Sequence, residues 1–172
     1  VALNTGMRKS ELLYLKWQDI DFNRGIIYVL ITKNGEIKEL PMNEIVRSAL
    51  LKVSKHIHSP YIFYNKEGKP LTNIRKSFTA ALKKAGIADF RFHDLRHTFA
   101  SQLVMAGIDL NTVRELMGHK TIKMTLRYSH LSPAHKKRAV DILAGQMDTI
   151  WSLKPTIEPT QEKSFSASLS AV

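Results

Sequence analysis

The chain has 172 residues, with 26 Lys and Arg against 15 Asp and Glu, seven His and no Cys, for a net charge of +11. That length suits about one domain, 44% apolar residues can close a hydrophobic core, and the basic excess favours a polyanionic partner such as nucleic acid. No run approaches the roughly 18 apolar residues of a membrane span, and the lack of Cys excludes disulfides, cysteine nucleophiles and thiolate metal sites.

Val1 to Gly6 reads as the last turn of a helix closed by a glycine, where positive φ is cheap. A short helix follows, with Leu12, Leu13 and Leu15 inward and Trp17 near its end. Strands are expected at Asp19–Phe22, Ile26–Ile31 and Ile37–Met42, joined by turns at Asn23-Arg24-Gly25 and Lys33-Asn34-Gly35. The links are too short for parallel crossovers, so the sheet is antiparallel. Asn43 caps a helix to about Val53, and Tyr61–Tyr64 is a short isolated strand. Thr72 or Asn73 opens a helix to Ala85, stopped by Gly86. Further helices run from about His93 to Ala106, from the cap Asp109 to Met117, and from Thr121 to about Ser129. A last one opens at Ser132 and Pro133 and ends at Gly145. The fold class is therefore α+β, mainly α, with a small three-stranded antiparallel sheet near the N-terminus.

The charge is unevenly placed. Residues 147–172 carry two Lys against three acids, a net −1, so residues 1–146 hold all of the basic excess. Ten of the last 26 residues are Ser, Thr or Pro, and 147–172 reads as a mobile or partner-docking tail beside a folded domain over 1–146.

His93-Asp-Leu-Arg96 is the first informative cluster. At 100° per residue, positions 93, 96, 97 and 100 share one helix face, and Leu95, Phe99, Leu103 and Ala106 form an opposite, core-facing stripe. An Arg fork beside an imidazole donor suits a tetrahedral oxyanion such as a phosphodiester, although incidental surface charge explains the tetrapeptide taken alone. His93 and His97 have the spacing of two zinc ligands, but no Glu base adjoins them and Arg96 would repel a cation. No metal is expected, and His97 reads as a packed, hydrogen-bonded histidine.

His119 follows the helix-ending Gly118, and Tyr128 lies nine residues further on. A tyrosine hydroxyl can attack phosphorus when nearby cations favour the phenolate, though an isolated Tyr is usually a half-buried core residue. Arg8 follows a glycine turn with Glu11 one helical turn beyond it. Lys33 sits on a hairpin tip, where a lysine is ordinarily a solvated edge charge.

In type, order and context, Arg8, Lys33, His93, Arg96, His119 and Tyr128 resemble the active-site set of the tyrosine recombinases, the phage-integrase family. The matching strings are NTGMRKSELLYLKWQDIDF, ITKNGEIKELPM, FHDLRHTFASQLVMAGIDLNTVRELMGHK and TIKMTLRYSHLSPAHKKRAV, and together they cover nearly all of residues 1–145. The resemblance implies a catalytic domain that cuts and rejoins DNA by transesterification. Tyr128 would attack the scissile phosphate to give a 3′-phosphotyrosyl bond and a free 5′-hydroxyl. Arg8 and Arg96 would bind the non-bridging oxygens, and Lys33 would protonate the departing 5′-oxygen. His93 would assist proton transfer at the tyrosine and hydrogen-bond the phosphate, His119 would donate to a non-bridging oxygen, and Glu11 would steady the Arg8 turn. No cofactor is implied, since one phosphoester replaces another and no carboxylate cluster or glycine-rich phosphate loop is apparent.

Double-stranded DNA is the implied partner, with a homotetramer on DNA and a monomer or weak oligomer alone, and the implied place of action is the cytoplasm, whether the protein is bacterial or phage-encoded. The apolar residues Ile142, Leu143, Ile150 and Trp151 are candidates for docking on a neighbouring protomer or on the same chain. The family's usual N-terminal DNA-binding domain and most of the first catalytic-domain helix are expected to be missing. Lys9, Arg75, Lys76, Lys83, Lys84, Arg91, Lys120, Lys123 and Lys136 to Arg138 would make a sequence-independent grip on the DNA backbone. Two rival readings stand beside this one. A helix-turn-helix regulator would use 101–119 but leaves Lys33, Arg8 and Tyr128 unexplained, and a type IB topoisomerase would use a similar catalytic set.

Overall fold

The computed structural model describes residues 1–31, 36–131 and 140–145. The chain turns its first corner at a glycine. Helix α1 (Ala2–Thr5) ends at Gly6, which takes φ 60° and ψ 15° and donates its N–H to the Ala2 carbonyl. A Cβ at Gly6 would lie 2.4 Å from Phe99 Cδ1, so the ring packs directly on the bare Cα. Gly6→Ala is accordingly expected to lower unfolding free energy by about 2 kcal/mol, through left-handed strain plus overpacking, read from the urea midpoint.

Helix α2 (Lys9–Leu13) buries Leu12 and Leu13, with Leu15 buried just beyond, as the pattern predicts. Trp17 opens a 3-10 turn (Trp17–Asp19) and is not the end of a helix. The cause is local: Asp19 Oδ2 accepts the Lys16 N–H at 2.9 Å, while the Trp17 N–H donates to Pro60.

The sheet has the order β1-β2-β3 and is antiparallel throughout, with β1 at Ile20–Asp21, β2 at Ile26–Ile31 and β3 at Glu36–Pro41. Strand β1 is shorter than expected because Asp21 Oδ1 accepts the N–H groups of Asn23 and Arg24 and turns the chain. In the β2–β3 register, Ile27 opposes Leu40 and Val29 opposes Lys38, and these four side chains are buried. Leu30 and Ile37 pair on the outer face. The Lys33-Asn34-Gly35 turn lies outside the described residues.

Helix α3 (Glu44–Leu51) starts where Asn43 Oδ1 accepts the Val46 N–H, and stops two residues before the expected Val53. Tyr61 and Tyr64 make only isolated bridges, to Lys16 and Pro70. Helices α4 (Arg75–Lys84), α5 (Asp94–Met105) and α6 (Leu110–Met117) follow, and Asp109 caps α6 as expected. The helix expected over 121–129 reduces to α7 (Lys123–Leu126) and a 3-10 turn at Ser129–Leu131, since the Tyr128 N–H bonds three residues back to Thr125.

Two apolar clusters hold these parts together. One lies under the sheet, around Met7, Leu12, Ile27, Leu40, Val46, Leu50 and Ile62. The other joins Ala100 and Val104 of α5, Val113 and Met117 of α6, and Tyr128. The two-faced reading of α5 needs correction. Arg96, Ala100 and Val104 are its most buried residues, while Ala106 is exposed. The reason is that α5 is packed by α1 on one side and α6 on another, so it has no wholly solvated stripe.

Residues 1–133 form one compact unit and residues 134–172 a second. Within the second, residues 140–145, which include Ile142 and Leu143, are helical. Residues 147–172, with Ile150 and Trp151, lie outside the described residues.

Candidate active site

Two helix ends supply the carbonyls that hold the two arginines. Arg96, 4% exposed, donates through Nη1 to the Gly6 carbonyl and through Nη2 to the Met117 carbonyl. Arg8 donates through Nη2 to the Gly118 carbonyl at 3.1 Å. The last carbonyls of a helix lack intrahelical partners and carry its negative dipole end, which suits a cation. Each bound Nη keeps a second N–H for another acceptor. Burial, followed by the neighbouring Arg8, lowers the Arg96 pKa to about 10, so it stays charged at neutral pH.

Glu11 bonds both the backbone and the side chain of Arg8. Its Oε2 accepts the Arg8 backbone N–H at 2.9 Å and its Oε1 accepts Nη1 at 2.7 Å. Burial alone would raise the Glu11 pKa, but Lys38 and the Arg8 contacts outweigh it and hold the carboxyl below its ordinary range. Lys38 escaped the sequence reading. Its ammonium is buried 3.7 Å from Glu11 Oε2, too far for a hydrogen bond, and lies against Gly118, whose Cβ would sit 3.1 Å from Lys38 Cδ. Burial first, then the charges of Arg96 and Arg8, lowers the Lys38 pKa to about 8 against the pull of Glu11. The legible signal was strand parity: Leu40 faces the core, so the residue two before it must as well.

Tyr128 is 5% exposed, its ring wedged in the second core cluster. Burial raises the Tyr128 pKa and outweighs the opposing charges of Arg127 and Arg96, although the Arg127 guanidinium lies over the ring, 5.7 Å from its centroid. The hydroxyl instead shares a 2.6 Å hydrogen bond with His97 Nδ1, in keeping with the packed, bonded histidine read from sequence.

His119 Nδ1 is 3.0 Å from the hydroxyl of buried Thr125. Burial, then Arg96, Arg8 and Lys38, lowers its pKa to about 4, so the ring is neutral at pH 7. In the tautomer where Thr125 donates to Nδ1, the ring proton sits on Nε2 and is available to an anion. His93 is exposed at the start of α5, its ring edge-on to His97 at 4.8 Å.

One open cleft of about 530 Å³ is lined by Arg8, His93, Arg96, His97, His119 and Tyr128, with Lys123 and Arg127 also on its wall. Five of the six expected catalytic residues therefore converge, and Lys33 lies outside the described residues. Lys9, Arg75, Lys76, Lys83, Lys84, Arg91, Lys120 and Lys123 are all exposed, Arg91 pairing with Asp94 at 3.6 Å. Of these expected backbone contacts, only Lys123 lines the cleft. Lys136 to Arg138 lie outside the described residues. No described helix is long and apolar enough to cross a membrane.

A family model described as the phage integrase family matches residues 1–135. The integrase of Salmonella phage P22 is 36% identical over 162 residues, covering 84% of this chain and 42% of that protein. Tyrosine recombinase XerC of Staphylococcus saprophyticus is 33% identical, covering 75% of this chain and 46% of the relative. Among solved structures, the catalytic domain of bacteriophage HP1 integrase aligns with a TM-score of 0.59 at 27% identity, over 93% of this chain and 82% of that one. XerH site-specific recombinase, in a post-cleavage complex with palindromic difH substrate, aligns with a TM-score of 0.67 at 26% identity, over 83% and 44%. The chain thus spans less than half the length of these curated relatives. Their names favour neither a transcriptional regulator nor a topoisomerase. With the match over residues 1–135 and a cleft gathered around Tyr128, the chain belongs to the phage integrase family.

Proposed function

We propose that this chain is the catalytic domain of a site-specific DNA recombinase that works through a phosphotyrosyl intermediate. The observation that carries the reading is the single cleft that Arg8, Arg96, His93, His97, His119 and Tyr128 line together. Tyr128 Oη attacks phosphorus in line with the 5′-oxygen, and the 3′ end stays on the protein as a phosphotyrosyl ester. Arg8 and Arg96 take the non-bridging oxygens, where charge accumulates in the transition state, and their carbonyl anchors mean little reorganisation is needed. His119 donates from Nε2 to the same oxygens, and His93 hydrogen-bonds the phosphate from the cleft mouth. Lys33 delivers the proton that the departing 5′-oxygen requires. Because ester exchanges for ester, the rejoined strand needs no nucleotide cofactor. The partner is double-stranded DNA, gripped along its backbone by the exposed Lys and Arg set, and the recombining assembly is a homotetramer on DNA in the bacterial cytoplasm.

The test is covalent capture. A pool of nicked duplexes with a randomised core traps the cleaved strand, since the short segment beyond the nick diffuses away. Wild-type chain is expected to yield an SDS-resistant adduct enriched in one core sequence, and Tyr128→Phe none. An adduct that survives Tyr128→Phe, or the absence of any wild-type adduct while DNA is still bound, overturns the reading. Adducts without sequence enrichment, together with relaxation of any supercoiled plasmid, favour a topoisomerase.

A further inference from the structure

Tyr128 presents a difficulty that the arginines do not solve. Its hydroxyl is buried and held as a phenol, so attack on phosphorus requires an immediate acceptor for its proton. His93, the histidine that the family resemblance puts forward for that proton, stands exposed at the cleft mouth. His97, one turn further along α5, makes the contact: Nδ1 to Oη is 2.6 Å. We infer that His97 is the general base that takes the Tyr128 proton during cleavage and returns it during rejoining, leaving His93 to the phosphate. The inference rests on the recombinase reading and assigns one of its proton transfers.

The geometry requires a particular tautomer. For Oη to donate to Nδ1, the ring must be neutral with its own proton on Nε2. The surroundings favour neutrality. Burial, then His93 and Arg127, with Arg96 as a smaller contributor, lowers the His97 pKa below its ordinary value, and Asp94 alone opposes them. His93, Asp94 and Arg96 come from the same helix, and Arg127 comes from the turn after α7. In that tautomer the neutral ring is an acceptor, with its Nδ1 lone pair 2.6 Å from the nucleophile. The helix explains why this works beside Arg96. Arg96 is spent on two carbonyls and an oxyanion, while the next residue is rotated about 100° towards the Tyr128 turn.

The step balances. The Tyr128 O–H bond breaks and an N–H bond forms at His97 Nδ1. The Oη–P bond forms and the P–O5′ bond breaks, and the 5′-oxygen takes its proton from Lys33. In rejoining, the 5′-hydroxyl returns its proton to Lys33 as it attacks phosphorus, the P–Oη bond breaks, and His97 gives its proton to the departing Oη. His97 becomes an imidazolium only while Tyr128 is esterified, and Asp94 eases that charge.

The test uses the same nicked pool in two forms, one with an ordinary 5′-bridging oxygen and one with sulfur at that atom. Sulfur leaves without a proton, so a defect on the leaving-group side is rescued and a defect at the tyrosine persists. His97→Ala and His97→Gln are both expected to slow adduct formation about 100-fold on either form. Gln can bond to Oη but cannot accept its proton, which separates a base from a mere prop. Both variants should also gain rate steadily with rising pH, where wild type levels off once His97 is neutral. Gln variant rates within about threefold of wild type, or full rescue by sulfur, overturn the inference. Should both variants unfold, the imidazole nitrogen shifts of wild type decide, because a His97 proton on Nδ1 contradicts the assignment. Absence of a wild-type adduct defeats the recombinase reading itself, and this one with it; a wild-type adduct undiminished in the variants defeats this one alone.

Discussion

Arg96→Lys is expected to cut the rate of covalent strand cleavage by roughly 30- to 1,000-fold, a loss of about 2–4 kcal/mol of transition-state stabilisation. The fork of a guanidinium is what makes Arg96 useful. Its two Nη atoms reach two carbonyls on different elements, at Gly6 and Met117, and each keeps a second N–H for another acceptor. A lysine head is a single tetrahedral point. It can reach one carbonyl or the phosphate, but it cannot span the gap between the end of α1 and the end of α6. One buried carbonyl then loses its partner, which costs a further 1–3 kcal/mol or so of unfolding free energy. Single-turnover adduct formation and urea unfolding, measured on the same preparation, separate the two losses. Arg8→Lys provides the contrast. Arg8 is 39% exposed and bonds one carbonyl, so its stability loss should be smaller, while the cleavage defect remains. Cleavage by Arg96→Lys at the wild-type rate would remove Arg96 from the site.

The same arginine shows what a sequence can and cannot reveal. That Arg96 matters is legible from the spacing of His93, Arg96, His119 and Tyr128, and their convergence follows the expected order. How Arg96 is held is not legible, because its anchors are backbone carbonyls 90 and 21 residues away in sequence. Carbonyls carry no side-chain signature; only the glycines that end α1 and α6 hint that such carbonyls would be exposed. Helical periodicity misjudged α5 for a related reason. A hydrophobic stripe identifies one packed face, but α5 is packed by α1 and by α6, and its second buried face carries Arg96 beside Ala100. Tyr128 was legible as a candidate nucleophile by context, yet its phenol state depends on burial in a cluster assembled from three separate elements.

Lys38 is the residue whose charge the strand pattern makes most expensive, and its removal gives the second large effect. Its folded pKa of about 8 lies below the ordinary 10.5. A lysine displaced downward disfavours the folded state while charged. Below pH 8 both folded and unfolded chains carry the proton, so the whole penalty is present. Between pH 8 and 10.5 the unfolded chain binds more protons than the folded one, and stability rises with pH as the penalty fades. At about 1.4 kcal/mol for each pH unit of displacement, the penalty is roughly 3 kcal/mol. Lys38→Met, which keeps the length of the side chain, should therefore raise unfolding free energy by about 2–3 kcal/mol at pH 7, with the gain shrinking towards zero by pH 10.5. The same change removes a positive charge lodged between Glu11 and Gly118, directly beneath the Arg8 corner, so adduct formation should fall while the protein becomes more stable. Chemical unfolding of both proteins across pH 7 to 10.5 checks this. A gain that stays constant over the range would mean that the ammonium is not displaced, and a loss of stability at pH 7 would mean that Glu11 needs Lys38 more than the core resents it. A stable but slow variant, in contrast, would mark Lys38 as a charge kept for the phosphate at the expense of the fold.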